Sequence, residues 1–168
     1  MAAPDFCHLH VHSEYSLLDG ANRISDLVKA CQQDGQRALA LTDHGNMYGA
    51  IELYQKATKG GIKPLLGCEV YIAKRSMHEK HSKKNGNGYS HLTLLARTNE
   101  GYKNLVKLTS AGYVDGYHFK PRIDMDLLRQ HSAGISCLSG CLAGEINQLT
   151  RAGKVSEAED WATDLRDL

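Results

Sequence analysis

The chain has 168 residues, 42% of them hydrophobic and 23% charged, which fits one soluble domain with its own core and excludes a fibrous or disordered polypeptide. Charges such as Asp43, Glu69 and Arg97 cut every apolar run short of a membrane span, and the opening Met-Ala-Ala-Pro-Asp lacks the basic-then-apolar order of a secretory signal. No membrane partner and a cytoplasmic location are therefore expected. Twenty basic against nineteen acidic side chains leave a net charge of +1, so a nucleic acid cannot be held by bulk charge alone and any polyanion has to be met locally.

From Phe6 to His12, the residues Phe6, His8, His10 and His12 alternate with Cys7, Leu9 and Val11, the pattern of a strand with one face almost wholly imidazole. A helix capped at Ser25 should run through Cys31 and close at Gly35. A short buried strand, Ala38 to Thr42, then breaks at Asp43-His44-Gly45. The spacing of Met47, Ile51, Leu53, Tyr54 and Ala57 predicts a second helix, ending at Gly60-Gly61. Leu65 to Ala73 reads as a strand carrying Glu69 in an otherwise apolar run. Lys74 to Gly88, charged and ending in Asn-Gly-Asn-Gly, reads as a solvated loop. A strand over His91 to Ala96, a helix over Glu100 to Val114 and a loop containing Lys120-Pro121-Arg122 follow. After them come a helix over Met125 to His131, a strand over Ile135 to Ser139 and an amphipathic helix over Lys154 to Leu168 with Trp161 on its apolar stripe. Alternating strands and helices predict an α/β fold with a mostly parallel sheet, and the short connections favour a barrel over an open sheet.

The unusual polar residues fall at the strand ends. His10 and His12 end the first strand, His44 ends the second, Glu69 lies in the third, His91 opens the fourth and Cys141 follows the fifth, with Asp19 able to fold back over the same rim. Nine His beside only two Phe and one Trp exceed what a core needs, and five Cys without a CxxC pair read as reduced thiols, one of them free to serve a metal. Imidazoles, carboxylates and a thiolate are the donor set for zinc, or for manganese or iron where oxygen dominates. Such ions suit phosphoester hydrolysis: they activate a water as the nucleophile and hold phosphate oxygens, so no side chain is assigned as a catalytic acid or base. Cys141 by itself reads first as a small buried residue, and a lone His-x-His reads equally well as structural. The whole set does not, because buried His and Glu are costly without partners. His8 is placed behind His10 and His12, and His78, His81, His118 and His131 at the surface. The basic cluster Lys74, Arg75, Lys80, Lys83 and Lys84 reads first as a solvated loop. Tyr15, Lys120 and Arg122 are candidates for a phosphate or DNA contact, each with an equal structural reading.

Five stretches carry a resemblance: HLHVHSEYSLLDG (8–20), LTDHGNMYGA (41–50), GIKPLLGCEVYIA (61–73), HLTLLARTNEGYKNLVKL (91–108) and LSGCLAGEI (138–146), together with KPRID (120–124). Spanning nearly the whole chain in order, they make it similar to the polymerase and histidinol phosphatase (PHP) family, in the branch found at the amino terminus of bacterial replicative DNA polymerases. The resemblance implies a distorted (β/α)7 barrel with up to three metal ions at the carboxyl ends of its strands. It places His10, His12 and Glu69 on the first ion, Glu69, His91 and Cys141 on the second, and Asp19 and His44 on the third, with the second set the best metal holder. The family's late Asn-Asp-x-His-like motif has no counterpart here. The expectation is thus a single domain fragment over residues 1–168, an incomplete barrel whose unpaired edge invites self-association.

Two functions follow from the resemblance. One is a metal-dependent phosphoesterase, a 3′–5′ exonuclease that proofreads DNA. The other is a scaffold that stabilises the polymerase and docks a separate proofreading exonuclease subunit. Either implies DNA and other replicase subunits, including a sliding clamp, as partners. A free-standing phosphatase of the histidinol phosphate type does not explain GIKPLLGCEVY followed by HLTLLARTNEGYKNL.

Overall fold

The computed structural model describes residues 6–80 and 88–168. In chain order they form α1 (Ile24–Gln33), β1 (Ala38–Leu41), α2 (Ala50–Lys59), β2 (Lys63–Ala73), β3 (Tyr89–Ala96) and α3 (Asn99–Val114). There follow β4 (Tyr117–His118), β5 (Lys120–Ile123), α4 (Met125–Gln130), β6 (Ile135–Leu138), α5 (Glu145–Arg151) and α6 (Val155–Arg166). Of the basic loop, His81, Lys83 and Lys84 lie outside the described residues, while Lys74, Arg75 and Lys80 are exposed.

The long strand β2 organises the sheet. On one edge it pairs with β3, and on the other it meets β1 at Lys63–Leu66, a single bridge from His44 to Glu69, and β5 at Tyr71–Ile72. The strand order is β4-β5-β2-β3-β6, with β1 joined to β2 off this path, so the sheet is mixed α/β in character and not closed. The expected mostly parallel arrangement holds for β1–β2 and β2–β5 but fails for β2–β3 and β3–β6, which are antiparallel. The reason lies in the connection: the sequence between β2 and β3 has no apolar periodicity from which to build a crossover helix, and an antiparallel pair needs none.

One face of β2 and β3 is apolar. Cys68, Val70, Ile72, Leu92 and Leu94 pack with Leu105 and Leu108 of α3, Ile123 of β5 and Leu128 of α4. Removing each of these Leu or Ile side chains from water contributes about 1.5–3 kcal/mol. A second cluster joins Ile24, Val28 and Cys31 of α1 to Leu39, Leu41, Leu53 and Ala57.

Three local expectations are corrected. Phe6 to His12 is not a regular strand: Ala40 N–H bonds to His8 O and Thr42 N–H to Val11 O, so two steps along β1 match three along this segment. The extra residue bends the chain, as a bulge does, and breaks the single imidazole face. The cap of α1 is Arg23, without a side-chain bond, and Ser25 lies inside the first turn. Lys120-Pro121-Arg122 belongs to a small β4–β5 hairpin rather than a loop, and α5 had no counterpart in the sequence reading.

Candidate metal centre

Because side chains alternate along a strand, the residues between the core positions of β2 and β3 point to the opposite face. These are Glu69, Tyr71, His91 and Thr93, with Glu69 opposite Thr93 and Tyr71 opposite His91. The end of β1 brings His44 beside Glu69 on the other edge. Glycine is required straight after it: Gly45 has φ of +65°, and a Cβ there would meet Pro121 Cγ at 2.8 Å and Tyr71 Cε2 at 2.9 Å.

Glu69, only 1% exposed, is ringed by four imidazoles. Its Oε2 lies 2.6 Å from His10 Nε2 and 3.7 Å from His12 Nε2, and its Oε1 lies 2.7 Å from both His44 Nδ1 and His91 Nδ1. The rings of His12 and His44 stack at 4.0 Å, and the other nitrogen of His44, Nε2, is 3.0 Å from Asp19 Oδ2. Burial by itself would raise the Glu69 carboxyl, but the contacts with His10, His44 and His91 prevail and hold it well below the usual carboxylate range. His44 is raised by Glu69, against the effect of burial and with help from Asp19. His12 is lowered by burial and by His44.

The donor set fits a cation. Glu69 Oε1 and His44 Nδ1 are buried with no aligned hydrogen bond despite their 2.7 Å approach, and such orphaned atoms each cost about 1–3 kcal/mol. An ion accepting both lone pairs would remove that cost. Two groups place three donor atoms within 4.8 Å of one another: His10, His12 and Glu69, and His44, Glu69 and His91. The first is the set expected for the first ion. The second has His44 where Cys141 was expected; Cys141 Sγ stands 3.8 Å from His91 Nδ1 and accepts from Ala143 N–H, at the margin of the group.

The other candidates separate. Tyr15 donates its hydroxyl to Glu52 Oε2 at 3.1 Å, and Lys120 Nζ lies 5.2 Å from the centre of the Tyr71 ring. Arg122 is not brought to the site: it is buried, and its guanidinium donates to the carbonyls of Gly116, Met77 and Glu79. His8 is exposed, with its ring against Phe6.

Sequence reading missed the strut behind the histidines. The buried Asp43 carboxylate accepts from Ser13 N–H at 2.6 Å, Ser13 Oγ at 2.8 Å and Ser16 Oγ at 2.7 Å. Ser16 Oγ in turn accepts from His44 N–H at 3.1 Å and lies 3.4 Å from His12 Nδ1. Its one proton goes to Asp43, so its oxygen takes the Nδ1–H of His12 and turns the Nε2 lone pair toward Glu69. The available signal was Asp43 itself, a carboxylate directly after a buried apolar strand. Tyr71, pushed up to about 12 mainly by burial, also escaped notice; its ring is 5.1 Å from that of His91.

Residues 8–168 match the PHP domain family. Over all 168 residues the chain is 47% identical to DNA polymerase III subunit alpha of Treponema pallidum, and over 157 residues, 92% of the chain, it is 48% identical to that of Thermus aquaticus. It spans 14% and 13% of the length of these relatives. A solved structure described as a metal-dependent phosphoesterase from Bifidobacterium adolescentis aligns with 63% of this chain and 32% of its own, at 18% identity and a TM-score of 0.45. With the family match covering nearly its full length, the chain belongs to the PHP domain family, and its sequence is similar to the DNA polymerase III α subunits.

Proposed function

We propose that this is the PHP domain of a replicative DNA polymerase III α subunit and that its histidine–carboxylate centre serves a metal-dependent phosphoesterase releasing nucleotides from a DNA 3′ end. The observation that carries the reading is the buried, ionised Glu69 enclosed by His10, His12, His44 and His91 with two orphaned donor atoms. His10, His12 and Glu69 would hold one ion, and His44, Glu69 and His91, with Cys141 at the margin, a second. Asp19, bound to the outer nitrogen of His44, is poised to add a carboxylate to a third. The imidazole-rich set favours zinc, with manganese or iron as alternatives. Bound ions of this kind activate water and neutralise phosphate charge. The protein's own part is to fix the donors: Asp43 and Ser16 set the tautomer of His12, and Glu69 joins β2 to the histidines of three other segments. Tyr71 walls the site and keeps its hydroxyl protonated, available to donate to a phosphate oxygen.

Release of 3′ nucleotides from end-labelled single-stranded DNA tests the reaction. The account predicts cleavage that needs zinc or manganese and disappears in His12→Ala. No metal-dependent release by a metal-loaded protein overturns it. A second reading has its own support, since the centre ties together separate segments at residues 10–12, 19, 44, 69 and 91, as a structural staple would. On that scaffold reading, His12→Ala and His44→Ala lower the melting temperature and remove no nuclease activity.

An apolar groove of about 800 Å³ runs from Leu9 across Leu65 and Leu95 to Leu138 on the sheet face that bears the centre. Residues 1–168 are proposed as one domain with an incomplete barrel; among the described residues β6 ends the strand order, and its outer edge can pair with a second copy or with further chain. DNA, a proofreading exonuclease subunit and a sliding clamp are the proposed partners, in the cytoplasm; no described helix is long and apolar enough to cross a membrane.

A further inference from the structure

We infer that the aromatic pocket beside the metal centre is a stacking site for the terminal nucleobase of a single nucleic-acid strand. The choice of strand rests on the phosphoesterase reading; the pocket itself stands on separate observations. It is a cavity of about 220 Å³ whose wall includes His44, one of the four imidazoles around Glu69, and Tyr71. Tyr48, Tyr113, Tyr117 and Phe119 line it with their rings largely in solvent, and Lys120 completes the rim.

Phe119 is the least expected of these residues. In the β4–β5 hairpin Tyr117 pairs with Pro121 and His118 with Lys120, which leaves Phe119 at the tip with φ of +62°. Among the described residues no other non-glycine has a positive φ, and a bulky side chain is disfavoured there. The ring is nevertheless 63% exposed, so burial does not compensate the strain. Its ring lies 4.5 Å from that of His118, and a strained, bulky side chain offered to solvent on the wall of a cavity points to a role in binding. Its neighbours are organised in the same sense. Tyr117 stacks on Tyr113 at 6.3 Å with planes 22° apart.

The occupant follows from what lies on either side. Exposed aromatic faces take a flat π system of any base, and stacking needs no sequence readout. Lys120, on the pocket wall, sits 5.2 Å over the Tyr71 ring, which itself lies 5.1 Å from the ring of His91, so the phosphate attached to a stacked terminal nucleoside would meet a cation beside the centre. A cation and a histidine–carboxylate cluster on one side and aromatic rings on the other match phosphate and base in one nucleotide. A protein segment would need no such pairing.

The test uses the 168-residue chain without metal, so that binding is read apart from turnover. Oligothymidylate carrying 2-aminopurine at its 3′ end is compared with the same strand ending in an abasic site, by fluorescence and anisotropy. The wild type should quench the 2-aminopurine and bind the abasic strand about 5- to 150-fold more weakly, the range for one stacked base. Phe119→Gly should lose the quenching and the preference while melting no lower than the wild type, because glycine relieves the strained φ. Tyr117→Ala should weaken both in the same direction. Equal affinity for the two strands, no measurable binding, or retained quenching in Phe119→Gly overturns the inference. Metal-dependent cleavage is scored separately. Cleavage with no preference for a terminal base sinks the pocket and leaves the reaction standing, whereas base-dependent quenching without cleavage does the reverse.

Discussion

The two faces of the β2–β3 pair are built from the same strands and differ in kind. Cys68, Val70, Ile72, Leu92 and Leu94 pack into the apolar core with α3 and α4, the Cys68 thiol also reaching the Asp43 carbonyl, whereas Glu69, Tyr71, His91 and Thr93 face the cleft, and Glu69 and Thr93 each keep a buried oxygen without a hydrogen bond. One residue of offset separates a core from a site. The comparison teaches that the polar face is held in place by the apolar one, at the cost of orphaned groups that a core would not tolerate.

The sharpest break should come from the apolar face. Leu105→Ala is expected to cost about 2–5 kcal/mol, read by urea unfolding, since its side chain is fully buried against both strands. Next is Glu69→Gln on the other face. The wild type should gain about 2.7 kcal/mol of stability at a metal concentration one hundred times its dissociation constant, and the variant should gain none. Asp43→Asn attacks the strut between the faces. Losing the charge that accepts from Ser13 and Ser16 should cost about 1–3 kcal/mol and weaken metal binding about 10- to 100-fold, measurable by competition with a chelator. Cys141→Ser should do least. With its sulfur 3.8 Å from His91 Nδ1 and outside both close groups, metal affinity should fall less than in Asp43→Asn.

These differences also explain what could be read from sequence. The helices other than α5 and the strands around β2 were legible within a few residues because apolar periodicity is a local signal. The grouping of His10, His12, His44, Glu69 and His91 was legible from their unusual residue types, although His91, near the start of its strand, joins the others because β3 runs antiparallel to β2. The direction of β3 was not legible, because nothing within the strand records whether its connection crosses over. The bend at Leu9–His10 escaped because strict alternation in sequence cannot announce an extra residue. Arg122 read as a phosphate contact because its type says nothing of burial; here its guanidinium satisfies the carbonyls of Gly116, Met77 and Glu79 instead. Asp43 and Ser16 were hidden for the opposite reason, in that their role depends on contacts 27 residues apart in the chain.

The most direct test of the metal centre is the metal content of the purified 168-residue protein, by mass spectrometry after loading with zinc or manganese and removal of loosely held ions. The account predicts at least one retained ion per chain in the wild type and a clear loss in Glu69→Gln. A wild-type chain that retains none, or a Glu69→Gln variant that retains as much, would contradict it.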